Sequence, residues 1–240
     1  MSIDLKKEAA IEAVKLIKDG STIGLGAGST IKHIVDLLKE RIIADGFSVK
    51  VLTSSFTTRQ LLIESGIDTP DLASGLRPEL YLDGCDQVDK DLNALKSGGG
   101  IHMHEKLLAS LSDRFVIIGD ESKYTERFSE RYPLVIEVIP EALYYVPAQI
   151  RKLYNGSRLV LRTHERTDGA VITRNGNYLF DIWFQQWPSP AEVNPLCKAI
   201  PGILETSLFY GLAEQAILAG ENGIRVLEKK EKKKAVAGKS

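Results

Sequence analysis

Cysteine is scarce in this chain of 240 residues: Cys85 and Cys197 are its two thiols. They are too few for a disulfide framework, and they lack the paired spacing of a zinc site. Charge of one sign is not in excess either. Lys and Arg number 31, Asp and Glu 32, and the formal net charge is −1, so no global field draws the chain to nucleic acid. No apolar run approaches the ~20 residues that span a bilayer. The opening MSIDLKKEAAIEAV has an amphipathic helical pattern with Asp4 and Glu8, and it lacks the apolar core of a signal peptide. No internal repeat is visible. The expectation is a reduced, cytoplasmic protein without membrane or nucleic-acid partners. Hydrophobic residues at 43% and charged residues at 26% are ordinary for a soluble globular fold.

What is present is an alternation. Asp4 to Ile17 reads as a helix, Thr22–Leu25 as a buried strand, Ile31 to Ile43 as a helix, Val49–Thr53 as a strand and Phe56 to Ser65 as a helix. Leu80–Leu82 is a short strand ending at Asp83. Helix resumes from His102 to Ser112, and Phe115–Ile118 is a fully apolar strand. Strands alternating with helices predict an α/β fold with a mostly parallel, doubly wound sheet and helices on both faces. The rhythm changes near Pro133. Strands are expected at Leu134–Ile139, Leu159–Arg162, Ala170–Thr173 and Tyr178–Phe184, with Asn175-Gly176 as a hairpin turn. Helices are expected from Pro147 to Asn155 and from Pro190 to Ala199. This stretch reads as a smaller α+β domain. Leu204–Leu208 and Gln215–Leu218 are expected as strands returning to the large sheet. Glu228 to Lys234, rich in Lys and Glu, reads as a solvated end.

The densest chemistry lies between positions 83 and 105. Asp83-Gly84-Cys85-Asp86 follows a strand end, Lys96 precedes Gly98, Gly99 and Gly100, and Glu105 lies in the next helix. In open α/β sheets, ligands bind beyond the carboxyl ends of the strands. Taken singly, these residues have plainer readings: turn aspartates beside glycine, a surface lysine, a first-turn helix acid. Together they make a site. The glycine turn can fold Lys96 back toward Glu105, pairing a carboxylate that carries a proton with a cation that stabilises an oxyanion. Gly26-Ala27-Gly28-Ser29-Thr30 joins a strand to a helix. It is neither a Walker loop nor a Gly-x-Gly-x-x-Gly fingerprint, and it reads either as a capped tight turn or as a cradle of N–H groups for an anion. Thr53-Ser54-Ser55 reads as a helix cap. Asp120 and Lys123 add a strand-end acid and a lysine suited to a phosphate or sugar hydroxyls. His102 and His104 are two apart and point to different helix faces, so no metal is expected. Cys85 has no positioned histidine base and reads as a small buried thiol.

These pieces, in this order, resemble the type A ribose-5-phosphate isomerase family: Gly24 to Thr30, Thr53 to Ser55, Asp83 to Asp86, Leu95-Lys96 with its glycines, Glu105-Lys106, Asp120 to Lys123, Val138 to Pro140 and Ala199 to Gly202. The resemblance runs to about Val226. It implies a Rossmann-like large domain over 1–132 and 204–240 and a small α+β domain over 133–203. It implies a cofactor-free interconversion of ribose 5-phosphate and ribulose 5-phosphate through an enediolate, in a homodimer or homotetramer. By the same resemblance Glu105 is the base, Lys96 stabilises the oxyanion, and Asp83 and Asp86 hold hydroxyls and assist ring opening. Substrate contacts are implied for Ala27, Gly28, Ser29, Thr30, Gly84, Cys85, Ser97, Gly98, Gly99 and Lys123. The chain departs from the family pattern at Ala27, Cys85, Gln87, Ser97 and Ile101 to His104, and Thr206 to Phe209 lacks a family asparagine; the base, the lysine and both aspartates are kept. Two other readings fit the motifs: an isomerase of another sugar phosphate, and a non-catalytic sugar-phosphate-binding module.

Overall fold

The computed structural model describes residues 4–165 and 167–229. In chain order its main elements are α1 (Leu5–Val14), β1 (Thr22–Leu25), α2 (Ser29–Asp45), β2 (Lys50–Thr53), α3 (Phe56–Glu64), β3 (Leu80–Asp83), β4 (Gln87–Asp89), β5 (Ala94–Leu95), α4 (His102–Leu111), β6 (Arg114–Asp120), β7 (Tyr124–Thr125) and β8 (Leu134–Val138). There follow α5 (Tyr145–Leu153), β9 (Arg158–Leu161), β10 (Tyr178–Trp183), α6 (Pro190–Lys198), β11 (Ile203–Thr206), β12 (Leu208–Phe209), β13 (Gln215–Gly220) and β14 (Gly223–Glu228).

The large sheet has six strands in the order β14-β13-β6-β3-β1-β2. All its neighbours run parallel except the β13–β14 hairpin. Its central strands are apolar on both faces, as a sheet covered on both sides requires. Ile23, Leu25, Leu80, Leu82, Val116 and Ile118 pack with α1 and α2 on one face. Leu52, Tyr81, Phe115, Ile117, Ala216 and Leu218 pack on the other with Leu108 and Ala109 of α4. Strand order reverses between β1 and β3: from β1 the chain moves outward to β2, then returns to the opposite side of β1. The carboxyl ends of β1 and β3 therefore flank the crevice where such sheets take ligands.

Two smaller sheets complete the fold, β11-β8-β10-β9 and β12-β5-β4-β7. The first is antiparallel throughout and has its own core, in which Phe184 is buried and Trp187 partly so.

Several expectations need correction. Leu204–Leu208 does not rejoin the large sheet. β11 pairs antiparallel with β8, and the chain crosses at Ser207 to β12, which pairs with β5. Apolar alternation marks a strand but not the edge that accepts it, and the free edge of β8 is adjacent. Ala170–Thr173 makes isolated bridges to Thr163 and Tyr178 instead of a strand. α2 begins at Ser29, not Ile31, and α5 begins two residues before Pro147, because proline is tolerated in the first turn, where its missing N–H has no partner to lose. Glu228 ends β14; from 230 onward the charged tail lies outside the described residues.

Candidate active site

Asp83 ends β3 on the same face as Tyr81, two residues earlier, since side chains two apart in a strand share a face. That face meets α4, so Asp83 is fully buried beneath the helix that carries Glu105. The approach needs glycine at position 26. A Cβ there would lie 1.9 Å from the Asp83 carboxyl carbon, and the carboxylate occupies the space that its absence leaves. Asp83 Oδ1 accepts the N–H groups of Gly84 at 2.7 Å and Ala27 at 3.2 Å. Its Oδ2 accepts the Tyr81 hydroxyl and Lys96 Nζ, the latter at 2.8 Å. About four acceptor positions exist on a carboxylate, and here all are filled.

Lys96 follows β5 and turns inward. Its ammonium donates to Gly84 O at 2.6 Å and lies 3.4 Å from Glu105 Oε1. Lys96 is 9% exposed and Glu105 5%. One ammonium thus serves two buried carboxylates. Burial opposes the charge on Lys96, but Asp83 and Glu105 together outweigh it and hold the lysine well above its ordinary value. Glu105 has the opposite balance. Burial raises its carboxyl, Lys96 lowers it only in part, and Asp83 raises it again, leaving it pushed up to about 8. A carboxyl so placed exchanges a proton near neutral pH, where an ordinary glutamate stays ionised.

Asp86 is half-buried and lies at the front of the site. Its Oδ2 accepts the N–H of Ser97 at 2.5 Å and of Gly98 at 3.2 Å. The Ser97 hydroxyl is turned away, donating to Pro133 O at 2.6 Å. Gly98 and Gly99 are exposed at the mouth. After β1, Gly28 is the N-cap of α2 at φ +103°, and among the described residues no side chain caps that helix. The expected caps Ser29 and Thr30 are instead its first two residues. Ser29 and Gly28 are exposed, Ala27 is half-buried and Thr30 is buried. Among the described residues no side chain partners the first N–H groups of α2, an arrangement that favours an anion. Thr58 of α3 fixes this loop from behind, its hydroxyl donating to Gly26 O at 2.7 Å. Ser55 caps α3 by accepting Thr58 N–H at 3.2 Å.

Lys123 closes the short turn after β6 and is half-buried. It lies near enough to Cys85 to act on its thiol, but burial dominates there and pushes Cys85 up to about 12. Cys85 is half-buried at the cleft and stays a neutral thiol. His102 is buried against β11, its Nε2 3.4 Å from Glu205 O, and burial pushes it down to about 4. His104 is more open, beside Arg174 and Glu137. Among the described residues, no three His, Cys, Asp or Glu side chains gather as a metal site would require.

Asp83, Lys96 and Glu105 therefore share direct contacts, Asp86 is tied to the loop that follows Lys96, and the α2 N-terminus and Lys123 flank the crevice. Two groups escaped the sequence reading. Tyr81 carried a usable signal, since it is two residues from Asp83 in the same strand. Arg162, which donates to Ser97 O at 2.8 Å and Gly98 O at 3.1 Å, carried none, because its contacts span more than sixty positions. A cleft of about 1140 Å³ lined by Asp89, Asn93, Arg114, Tyr210 and Glu214 lies elsewhere, and none of these contacts the Glu105–Lys96 pair.

Residues 50–223 match the family model for ribose 5-phosphate isomerase A, also called phosphoriboisomerase A. Ribose-5-phosphate isomerase A of Nitrobacter hamburgensis is 39% identical over 96% of this chain and 100% of its own length. That of Methanothermobacter thermautotrophicus is 36% identical over 94% and 98%. Among solved structures, ribose 5-phosphate isomerase A of Methanocaldococcus jannaschii superposes with a TM-score of 0.87 at 33% identity, covering 94% of this chain and 99% of that one. A D-ribose-5-phosphate isomerase in complex with phospho-erythronic acid gives 0.89 at 32% identity, covering 95% and 100%. With residues 50–223, well over half its length, in the family model and full-length relatives above a third identical, the chain belongs to the ribose 5-phosphate isomerase A family.

Proposed function

We propose that the family's reaction, interconversion of ribose 5-phosphate and ribulose 5-phosphate, runs in this chain with Glu105 as proton carrier and Lys96 as the cation facing the enediolate. The observation that carries the reading is the buried contact of Glu105 with Lys96, 3.4 Å apart, at the sheet's switch point. Glu105 takes the proton from C2 of the open-chain aldose. The charge spreads over O1 and O2, where the ammonium stabilises it. A hydroxyl proton passes from O2 to O1, and protonated Glu105 delivers its proton to C1. Asp83, with its acceptor positions filled, holds Lys96 in place. Asp86 stands at the mouth and has a free carboxylate oxygen side for sugar hydroxyls and ring opening. Ala27, Gly28, Ser29, Thr30 and Lys123 receive the phosphate end, with Gly84, Cys85, Ser97, Gly98 and Gly99 along the sugar. A relative's complex with phospho-erythronic acid, a sugar-acid phosphate with two oxygens on its terminal carbon, fits a site that presents a cation to paired oxygens. This chemistry needs no cofactor. We also read the protein as cytoplasmic, and as a homo-oligomer, since Tyr144, 86% exposed, and Tyr145 offer surface for a second copy.

The test is ribulose 5-phosphate formation by purified protein, with and without chelator, beside a panel of other pentose and hexose phosphates. Ribose 5-phosphate is expected to lead in kcat/KM, with no loss to the chelator. A clear lead for another sugar phosphate, or binding without turnover, contradicts the reading.

A further inference from the structure

The loop from Lys96 to Gly100 joins β5 to α4, and the small β11-β8-β10-β9 sheet supports it from below. Gly100 adopts φ +67°, and a Cβ there would lie 2.6 Å from Leu179 Cδ1 on β10, so the loop and that sheet meet with no room for a side chain. Arg162, just past β9, reaches under the loop. Its Nη2 donates to Ser97 O at 2.8 Å and its Nη1 to Gly98 O at 3.1 Å. Asp181 of β10 grips the same guanidinium, 2.6 Å from Nη2 and 3.3 Å from Nε. Both side chains are largely enclosed. On the other side of the loop, the N–H groups of Ser97 and Gly98 donate to Asp86 Oδ2.

One peptide unit joins the two sides. Between Ser97 and Gly98, the carbonyl is on Arg162 and the N–H is on Asp86. The unit is planar and stiff, so turning its carbonyl turns its N–H. A cation on the carbonyl also polarises the unit and strengthens that N–H as a donor. Lysine cannot reproduce the two-pronged grip, because it presents a point charge where arginine presents a fork.

We propose that Arg162, held by Asp181, is a positioning residue for the isomerisation: it fixes the Ser97–Gly98 peptide and, through it, the carboxylate of Asp86. The inference rests on the reading of Asp86 as the group that meets the sugar hydroxyls. A purely structural ion pair would support folding and leave the turnover of folded protein unchanged.

The test is a double-mutant cycle on kcat in the full chain, using Arg162→Lys, Asp86→Asn and both together, with each fold checked by circular dichroism. Folded Arg162→Lys is expected to lose ten- to a hundredfold, on the order expected for misplaced groups. In the Asp86→Asn background the same change should cost no more than about twofold. Guanidinium ion added to Arg162→Ala should restore part of its turnover and do nothing for Asp86→Asn. If Arg162→Lys does not fold, Asp181→Asn takes its place in the cycle. Wild-type kcat in folded Arg162→Lys overturns the proposal. Losses that multiply independently, with Asp86→Asn itself impaired, overturn it while sparing the reading of Asp86. Wild-type kcat in Asp86→Asn removes that reading and this proposal together.

Discussion

Glu105 and Lys96 differ in how burial treats them, and that difference has measurable consequences. The lysine has two carboxylates and keeps its charge. The glutamate shares the lysine with Asp83 and is left raised toward 8. As the proposed base, Glu105 must be ionised, so kcat/KM should fall with decreasing pH along a limb that inflects well above the ordinary glutamate value of 4.5. A pH–rate profile flat down to pH 5 contradicts this. The sign for stability is the reverse. A carboxyl raised in the folded state stabilises at low pH, and that contribution fades as pH rises from the unfolded value toward the folded one. Glu105→Gln should therefore compare better with wild type in melting temperature at pH 8.5 than at pH 4, and thermal melts at both pH values check it. Gly26→Ala places a methyl where the Asp83 carboxylate sits. It should destabilise by about 1–3 kcal/mol through overpacking and lower kcat by displacing Asp83 from Lys96; denaturant unfolding and turnover measure the two effects. At this scale the sequence announced most of the charged groups, because strand-end aspartates and a lysine two residues before a glycine run are local patterns. It did not announce Asp83's dependence on Gly26, which lies 57 positions away in the chain and is adjacent only through the pairing of β1 with β3.

Among elements, the critical attachment is that of α4, which carries Glu105. Its outer side is tied to β11 by Lys106, whose ammonium lies 2.7 Å from Glu205 Oε1 and 2.6 Å from Thr206 O. Lys198 of α6 takes the other Glu205 oxygen at 2.7 Å. Removing one member of a buried pair strands its partner. Lys106→Met should cost about 3 kcal/mol, the low end for such a change, because Lys198 still holds Glu205. A lower urea midpoint with an unchanged slope is the expected result, and an unchanged midpoint contradicts it. The helices and central strands were legible from their periods, whereas β4, β5, β7 and β12 were not. They are two or three residues long, too short to show a period of two, and they exist because partners across the chain complete their ladders. β11 was legible as a strand but not as part of the small sheet, for the same reason.

At the scale of the molecule, the parallel sheet supplies the crevice and the α2 N-terminus, while the antiparallel sheet braces the loop that follows Lys96. The family likeness spans both parts, covering nearly the whole chain. Exposed Tyr144 and Tyr145 predict self-association: sedimentation should show a dimer or tetramer, and a monomer at micromolar concentration contradicts that part of the reading. The most direct test of the account is steady-state conversion of ribose 5-phosphate by wild type and Glu105→Gln side by side. Turnover should be lower by about 10²–10⁴-fold in a variant whose circular dichroism matches wild type. A correctly folded variant that turns over at the wild-type rate contradicts it.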